Sequence, residues 1–243
     1  MRAWQLILDG ALDGITNMAI DAALFEEVEA SSTPVTIVRF YSWKRPTLSL
    51  GRHQKVESAV DFDYCRDNGI EIVHRPTGGR AVLHDDEITY AVASNDSSHF
   101  GSGVYANYRR IAEALNLGLE RFGVPAALTP ETRKAMGSRN GADPPCFLSP
   151  SRYELSVRGR KIVGSAQRRG RSGFLQHGSI PITCDRAALA RATRLEDVSL
   201  LDREMAGVAE FLPGRPSMGE LTNTFIRGFQ DYFSIDFTPR NWD

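Results

Sequence analysis

The most constraining feature of this chain is the stretch from His74 to Tyr90, HRPTGGRAVLHDDEITY. A short β-prone run, Ile70-Glu71-Ile72-Val73, leads into it, and Ala81-Val82-Leu83 follows. Between them Arg75 and Arg80 flank a Gly78-Gly79 pair. Gly-Gly between two β-prone runs predicts a tight hairpin, because both turn residues can take positive φ without a Cβ penalty. The missing side chains would also let a ligand approach the backbone, with an arginine fork at hand for an anionic or carbonyl-bearing group. An ordinary hairpin with a solvated basic turn satisfies the same local pattern. His84-Asp85-Asp86-Glu87 then closes the second run, and a further strand begins at Ile88.

Around this stretch, short β-prone runs alternate with helical patterns. Trp4 to Leu8 reads as a strand, and a helix follows from about Asn17 to Ala30, capped by Thr16, with Met18, Ala22, Phe25 and Val28 inward. Pro34–Tyr41 and Thr47–Gly51 read as strands, with Gly51-Arg52-His53-Gln54 a loop facing the same cleft as the Gly-Gly turn. Phe62–Asn68 is a short helix that packs Cys65, Ile88–Ala93 is a strand, and Val104–Phe122 is a helix ended by Gly123. Thr129–Pro145, poor in apolar residues, reads as a mobile surface loop, in the place where a lid over a cleft would sit. Beyond Cys146-Phe147-Leu148, Tyr153–Val157 and Arg160–Gln167 form a hairpin about Arg158-Gly159, and Phe174–Ile182 is one more strand. Residues from about 185 to 243 look mostly helical, Arg186–Arg191 and Met218–Phe233 in particular. Hairpin-linked strands separated by helices predict an α+β fold with a mostly antiparallel sheet, and 243 residues suit one large domain with a helical C-terminal segment, or two small ones.

Composition narrows the function classes. A formal net charge of −1 gives no general electrostatic reason to bind nucleic acid or an anionic membrane. No apolar run approaches a membrane span, and the N-terminus lacks the apolar core of a signal peptide, so a cytoplasmic location is expected. Three cysteines without CxxC spacing imply neither a disulfide framework nor a zinc site. Cys146 and Lys161 stand in one short window. An ammonium near a thiol favours the nucleophilic thiolate. Equally, Cys146 could be a small core filler and Lys161 a solvated strand residue. Cys184, between a strand and a helix, ranks behind Cys146 as a nucleophile.

Four blocks in order, RPTGGRAVLHDDEITY, PCFLSPSRYEL, GRKIVGSAQRR and LQHGSIPI, resemble the signature blocks of the biotin/lipoate protein ligase superfamily. More narrowly they resemble its cysteine-dependent octanoyltransferases of lipoate assembly, the LipM type. The likeness runs from about Trp4 to Ile182. It implies an enzyme that takes octanoyl from acyl carrier protein and delivers it to a lysine of a lipoyl-carrying protein, such as glycine cleavage H protein or a 2-oxoacid dehydrogenase E2 domain. It also implies that Cys146 carries the acyl group as a thioester and that Lys161 orients the acyl carbonyl. Arg160 stands where the family often has a first lysine, and Lys161 itself is in place. Arg75, Gly78, Gly79 and His84 would line the acyl pocket, Gly164, Ser165 and Gln167 would lie near the carbonyl, and His177 and Gly178 complete the set. No metal or cofactor is implied.

Three other readings stay open: an ATP-dependent lipoate–protein ligase, an octanoyl amidotransferase between carrier proteins, and a non-catalytic carrier-binding module. For acidic carrier partners, Arg168, Arg169 and Arg171, with Arg133, Lys134 and Arg139, could form a basic patch; solvated arginines fit the same pattern.

Overall fold

The computed structural model describes residues 3–101, 103–129 and 153–242. Its main sheet is six-stranded. The strands are β1 (Trp4–Leu12), β2 (Thr36–Trp43), β6 (Glu87–Ser94), β10 (Gly164–Arg169), β11 (Phe174–Pro181) and β12 (Phe237–Pro239), in the order β10-β11-β6-β2-β1-β12. Pairing is antiparallel from β10 through β2, and β1 runs parallel to both β2 and β12. The expected α+β fold with a mainly antiparallel sheet is what forms.

Strand alternation divides this sheet into two unlike faces. Val38, Phe40, Ile88, Tyr90, Val92, Phe174 and Ile180 point into an apolar core. That core is closed by helices α4 (Val104–Arg121) and α7 (Met218–Phe233), which pack on each other and bring in Leu115, Leu119, Phe225 and Phe229. The opposite face carries Arg39, Tyr41, Trp43, Glu87, Thr89, His177 and Ser179, all buried. Helix α1 (Gly14–Ala30) covers part of it. Its cap is Asp13 rather than Thr16: the Asp13 carboxylate accepts from Thr16 N at 2.8 Å, an exchange of donor and acceptor within one turn.

A second sheet has the order β4-β3-β5, from β3 (Thr47–Leu50), β4 (Glu71–His74) and β5 (Val82–His84). This corrects the expected hairpin. β4 and β5 do not pair with each other; both pair with β3, parallel and antiparallel respectively. The Arg75–Arg80 segment therefore crosses the end of β3 instead of turning tightly. Gly79 uses its freedom there, with φ of 93°, and a Cβ on Gly51 would lie 1.9 Å from the Gly79 carbonyl oxygen.

A third sheet contains β7 (Ala127–Thr129), β8 (Glu154–Val157) and β9 (Arg160–Lys161). The β8–β9 hairpin forms as expected about Arg158 and Gly159, at φ of 51° and 81°. The expected continuous strand from Arg160 to Gln167 is broken at Ile162-Val163, whose buried side chains join the main core, so β9 and β10 belong to different sheets. Short helices α2 (Val56–Ala59), α3 (Phe62–Asp67), α5 (Arg186–Ala192) and α6 (Ser199–Glu204), with a 3₁₀ turn at Val208–Phe211, complete the described elements. No described helix is long and apolar enough to cross a membrane.

Candidate active site

The polar face of the main sheet and the second sheet face each other across a cleft. The main sheet contributes Tyr41, Trp43, Thr89, Gly164, Ser165, Ala166, His177, Gly178 and Ser179. The second sheet contributes Ser49, Val82 and His84, α1 contributes Met18, and Arg75 completes the wall.

Behind this lining are two completed hydrogen-bond chains. In the first, Glu87 is buried and accepts from His84 Nδ1 at 2.8 Å, from Trp43 Nε1 at 3.2 Å, and from the hydroxyls of Thr89 and Ser179. His84 Nε2 meets Ser49 Oγ at 2.7 Å, and Trp43 stacks on the imidazole at 4.1 Å. In the second, Asp21 accepts from Arg39 Nη1, Tyr41 Oη and His177 Nδ1, each at 2.8 Å. Arg39 also reaches Asp9 at 2.6 Å and Asn17 Oδ1 at 2.8 Å, so a guanidinium with no exposure is fully surrounded by acceptors. Burial opposes ionisation of Asp21, yet the hydrogen bond from His177 and the charge of Arg39 hold its pKa below the usual carboxylate value. For His177 burial dominates and lowers the pKa below 6.5, against the pull of Asp21. Burial also raises the Tyr41 phenol well above its usual value.

The expected site residues that the structure describes fall into four groups. Arg75, His84, Gly164, Ser165, His177 and Gly178 line the cleft together. Gly78 and Gly79 border it through Arg75, whose guanidinium donates to Gly78 O at 2.9 Å, Arg80 O at 2.7 Å and Ser49 O at 2.9 Å. The fork expected for an anion is thus engaged with its own loop. Gln167 stands one layer back: its Nε2 donates to Gln176 Oε1 at 2.9 Å, Gln176 Nε2 donates to Tyr90 Oη at 2.9 Å, and Tyr90 Oη lies 2.8 Å from Ser165 Oγ. Gly178 makes that last contact possible, since a Cβ there would lie 2.6 Å from the Tyr90 ring. Lys161 is buried on β9, three positions ahead of cleft-lining Gly164, and its Nζ meets Glu154 Oε1 at 2.5 Å. Register explains the pair: Lys161 lies opposite Ser156 on β8, and Glu154 is the next residue on the same face of that strand.

Cys146, residues 130–145 of the expected lid, and Arg133, Lys134 and Arg139 lie outside the described residues. The other thiols are poor nucleophile candidates. Burial raises Cys65 to about 11 and half-buried Cys184 to about 12. Arg52 and His53 are exposed and do not line the cleft; their loop touches the Gly-Gly segment through Arg52 N, which donates to Thr77 O at 2.9 Å. Of the remaining arginines, Arg168 stacks over Phe25 at 4.2 Å, while Arg169 and Arg171 are exposed. Among the described residues no group of His, Cys, Asp or Glu is arranged to hold a metal ion.

Sequence reasoning passed over Asp21, Arg39, Trp43, Ser49, Thr77, Glu87 and Glu154. A signal was present for the first two. Asp21 falls on the inward stripe of α1 with Met18, Phe25 and Val28, and Arg39 interrupts an apolar strand, so each required a buried partner.

The fold, α+β with a mainly antiparallel main sheet, is shared with solved lipoate–protein ligases. The chain belongs to the lipoyl protein ligase A/B catalytic domain family, whose model matches residues 13–230. It is 38% identical to octanoyltransferase LipM of Moorella thermoacetica, across 98% of this chain and 89% of that protein. Octanoyltransferase LipM of Kyrpidia tusciae is 41% identical across 98% and 90%. Among solved structures, a lipoate–protein ligase A bound with ATP superposes with a TM-score of 0.80 at 25% identity, covering 100% of this chain and 90% of that one. A lipoate protein ligase from T. acidophilum with bound lipoic acid gives 0.79 at 24%, over 100% and 90%, a likeness of fold.

Proposed function

We propose that this chain is an octanoyltransferase of protein lipoylation. The carrying observation is its 38–41% identity, over nearly its whole length, to proteins named octanoyltransferase LipM. The cleft supports the reading: Met18, Trp43, Val82 and Ala166 offer apolar surface to an aliphatic chain, and buried polar groups fix its walls.

In the proposed cycle the Cys146 thiolate attacks the thioester carbonyl of octanoyl-acyl carrier protein. The carrier thiol leaves with a proton, and octanoyl remains as a Cys146 thioester. A lysine amine of a lipoyl-domain acceptor, such as glycine cleavage H protein, then attacks that thioester. An amide forms, and Cys146 returns as the thiol. Both steps run thioester to thioester or thioester to amide, so neither needs ATP. Lys161 serves both tetrahedral intermediates. The Glu154 carboxylate beside it favours the ammonium, the form that stabilises a thiolate and an oxyanion. The reaction belongs in the cytoplasm, with acyl carrier protein.

The test is intact-protein mass after mixing with octanoyl-acyl carrier protein without ATP. The expected result is a hydroxylamine-sensitive octanoyl adduct on the wild type, absent from Cys146→Ala, and formed about 100- to 1,000-fold more slowly by Lys161→Ala. A second reading has its own observation, the fold match to a ligase bound with ATP. No adduct, together with ATP-dependent modification of an acceptor from free octanoate or lipoate, would establish that ligase reading instead. Adduct formation only from an octanoylated lipoyl domain would make the enzyme an amidotransferase between carriers.

A further inference from the structure

Thr77 precedes the Gly-Gly pair and is fully buried, and its Oγ1 meets His177 Nε2 at 2.7 Å. This bond joins the two walls of the cleft, since Thr77 belongs to the second-sheet segment and His177 to β11 of the main sheet, 100 residues apart. The other imidazole nitrogen, Nδ1, meets the Asp21 carboxylate at 2.8 Å, and Asp21 is itself held by Arg39 and Tyr41.

Proton bookkeeping along this chain has one solution. Burial holds His177 neutral near neutral pH, so the ring carries one N–H. The Asp21 carboxylate can only accept, so that proton is on Nδ1. Nε2 is then a lone pair, and the Thr77 hydroxyl must donate to it. The Thr77 carbonyl meanwhile accepts from Arg52 N at 2.9 Å, and Arg75 grips the Gly78 and Arg80 carbonyls that follow. The Gly-Gly segment, expected to be a hairpin turn, is instead a crossing strap, with Thr77 as a side-chain anchor to the main sheet.

We propose that Asp21 and His177 are positioning residues that, through Thr77, set the Gly78-Gly79 segment against the acyl cleft for octanoyl transfer. Neither needs to touch the reacting atoms. The catalytic consequence rests on the octanoyl-transfer reading; the anchoring does not. Protonating His177 would convert Nε2 to a donor and break the bond from Thr77, whose hydroxyl has the Gly78 carbonyl at 3.5 Å as its alternative acceptor. The groups facing His177 are Asp21 from α1, with Arg39 and Tyr41 of β2 behind it, Arg75 and Thr77 from the strap, and His84 from β5. Arg75 and His84 disfavour protonation and Asp21 favours it, so the anchor is kept at neutral pH and released on the acid side.

The experiment compares the full chain with Thr77→Val, Thr77→Ser, Asp21→Asn and the Thr77→Val/Asp21→Asn pair. Hydrogen exchange of the Arg52 amide reads the anchoring directly, because its acceptor is the Thr77 carbonyl. It should quicken about tenfold in Thr77→Val and stay at the wild-type rate in Thr77→Ser, which keeps the hydroxyl. The rate of octanoyl adduct formation from octanoyl-acyl carrier protein, followed over roughly pH 5 to 8, reads the consequence. It should fall about tenfold in Thr77→Val, and that variant should lack the wild-type decline on the acid side. Asp21→Asn should add almost nothing in the Thr77→Val background.

Wild-type Arg52 exchange in Thr77→Val overturns the anchor. A full Asp21→Asn effect in that background, or an unchanged adduct rate, overturns the positioning role. Thr77→Val leaves every Asp21 partner in place, so misfolding of Asp21→Asn does not blur the result. A wild type that forms no adduct at any pH sinks the octanoyl-transfer reading, while Arg52 exchange still decides the anchor.

Discussion

The two faces of the main sheet are built from alternate residues of the same strands, yet they follow opposite physical rules. On β2, Val38 and Phe40 enter the apolar core, while Arg39 and Tyr41 between and beyond them enter an ionic network. The first face is held by area removed from water and by ring packing, such as Trp4 against Phe233 at 4.7 Å. The second is held by complete pairing: Arg39, Asp21, Glu87 and His177 are all buried, and each has hydrogen-bond partners. Apolar packing tolerates neighbours of the right size. A buried charge tolerates only its partner. The contrast explains why the cleft lies on the second face, where every group is oriented before a ligand arrives.

The comparison can be broken or sharpened by substitution. Phe225→Ala on the apolar face should cost about 3–5 kcal/mol in a denaturant melt, while the acid-side shape of the activity profile stays the same. Arg39→Met should cost about 3 kcal/mol, because Asp21 and Asp9 are left without their cation; it should also alter the acid limb of that profile. Equal behaviour of these two variants would erase the distinction between the faces. Gly178→Ala tests a place where a polar chain crosses the apolar face. Its Cβ would press on the Tyr90 ring and on Ser165 Oγ, at 2.6 and 2.8 Å, for an expected cost of about 1–3 kcal/mol. Melting should track the cost, and ultraviolet absorbance should report altered burial of Tyr90.

The smallest effect is on stability against pH. His177 has its pKa lowered from 6.5 in the folded chain, so on acidification the unfolded chain binds that proton first. Its contribution is complete above about pH 6.5 and declines as pH falls from there towards the folded value. Asp21, also lowered, contributes above about pH 3.9 and loses that contribution only in stronger acid. Thr77→Val should change the first window and leave the second. A denaturant midpoint series across both windows checks this; no change in the first would show that His177 is not coupled to the strap.

The apolar face is legible in the order of residues alone. Leu115 and Leu119 on α4, and Leu221, Phe225 and Phe229 on α7, recur at helical spacing, and both helices form within a residue of the expected bounds. The polar face is legible only as single letters. Thr77, Ser49 and Trp43 carry no local signal, because their partners lie in other strands. The hairpin expected at Gly78-Gly79 does not form for the same reason: local turn chemistry is right about flexibility, but β3 supplies a better partner for both flanking strands than either supplies for the other.

The order of residues along the chain therefore determined the helices, most strands, the β8–β9 turn and the blocks that mark the family, since each depends on neighbours a few positions away. The tertiary structure decided which strands met, how Asp21 came to face His177, how Glu154 came to face Lys161, and that the Gly-Gly segment became a strap across the cleft. These pairings join residues 7 to 156 positions apart. Nothing in local spacing ranks one such partner above another; burial does, by making an unpaired charge too costly to keep.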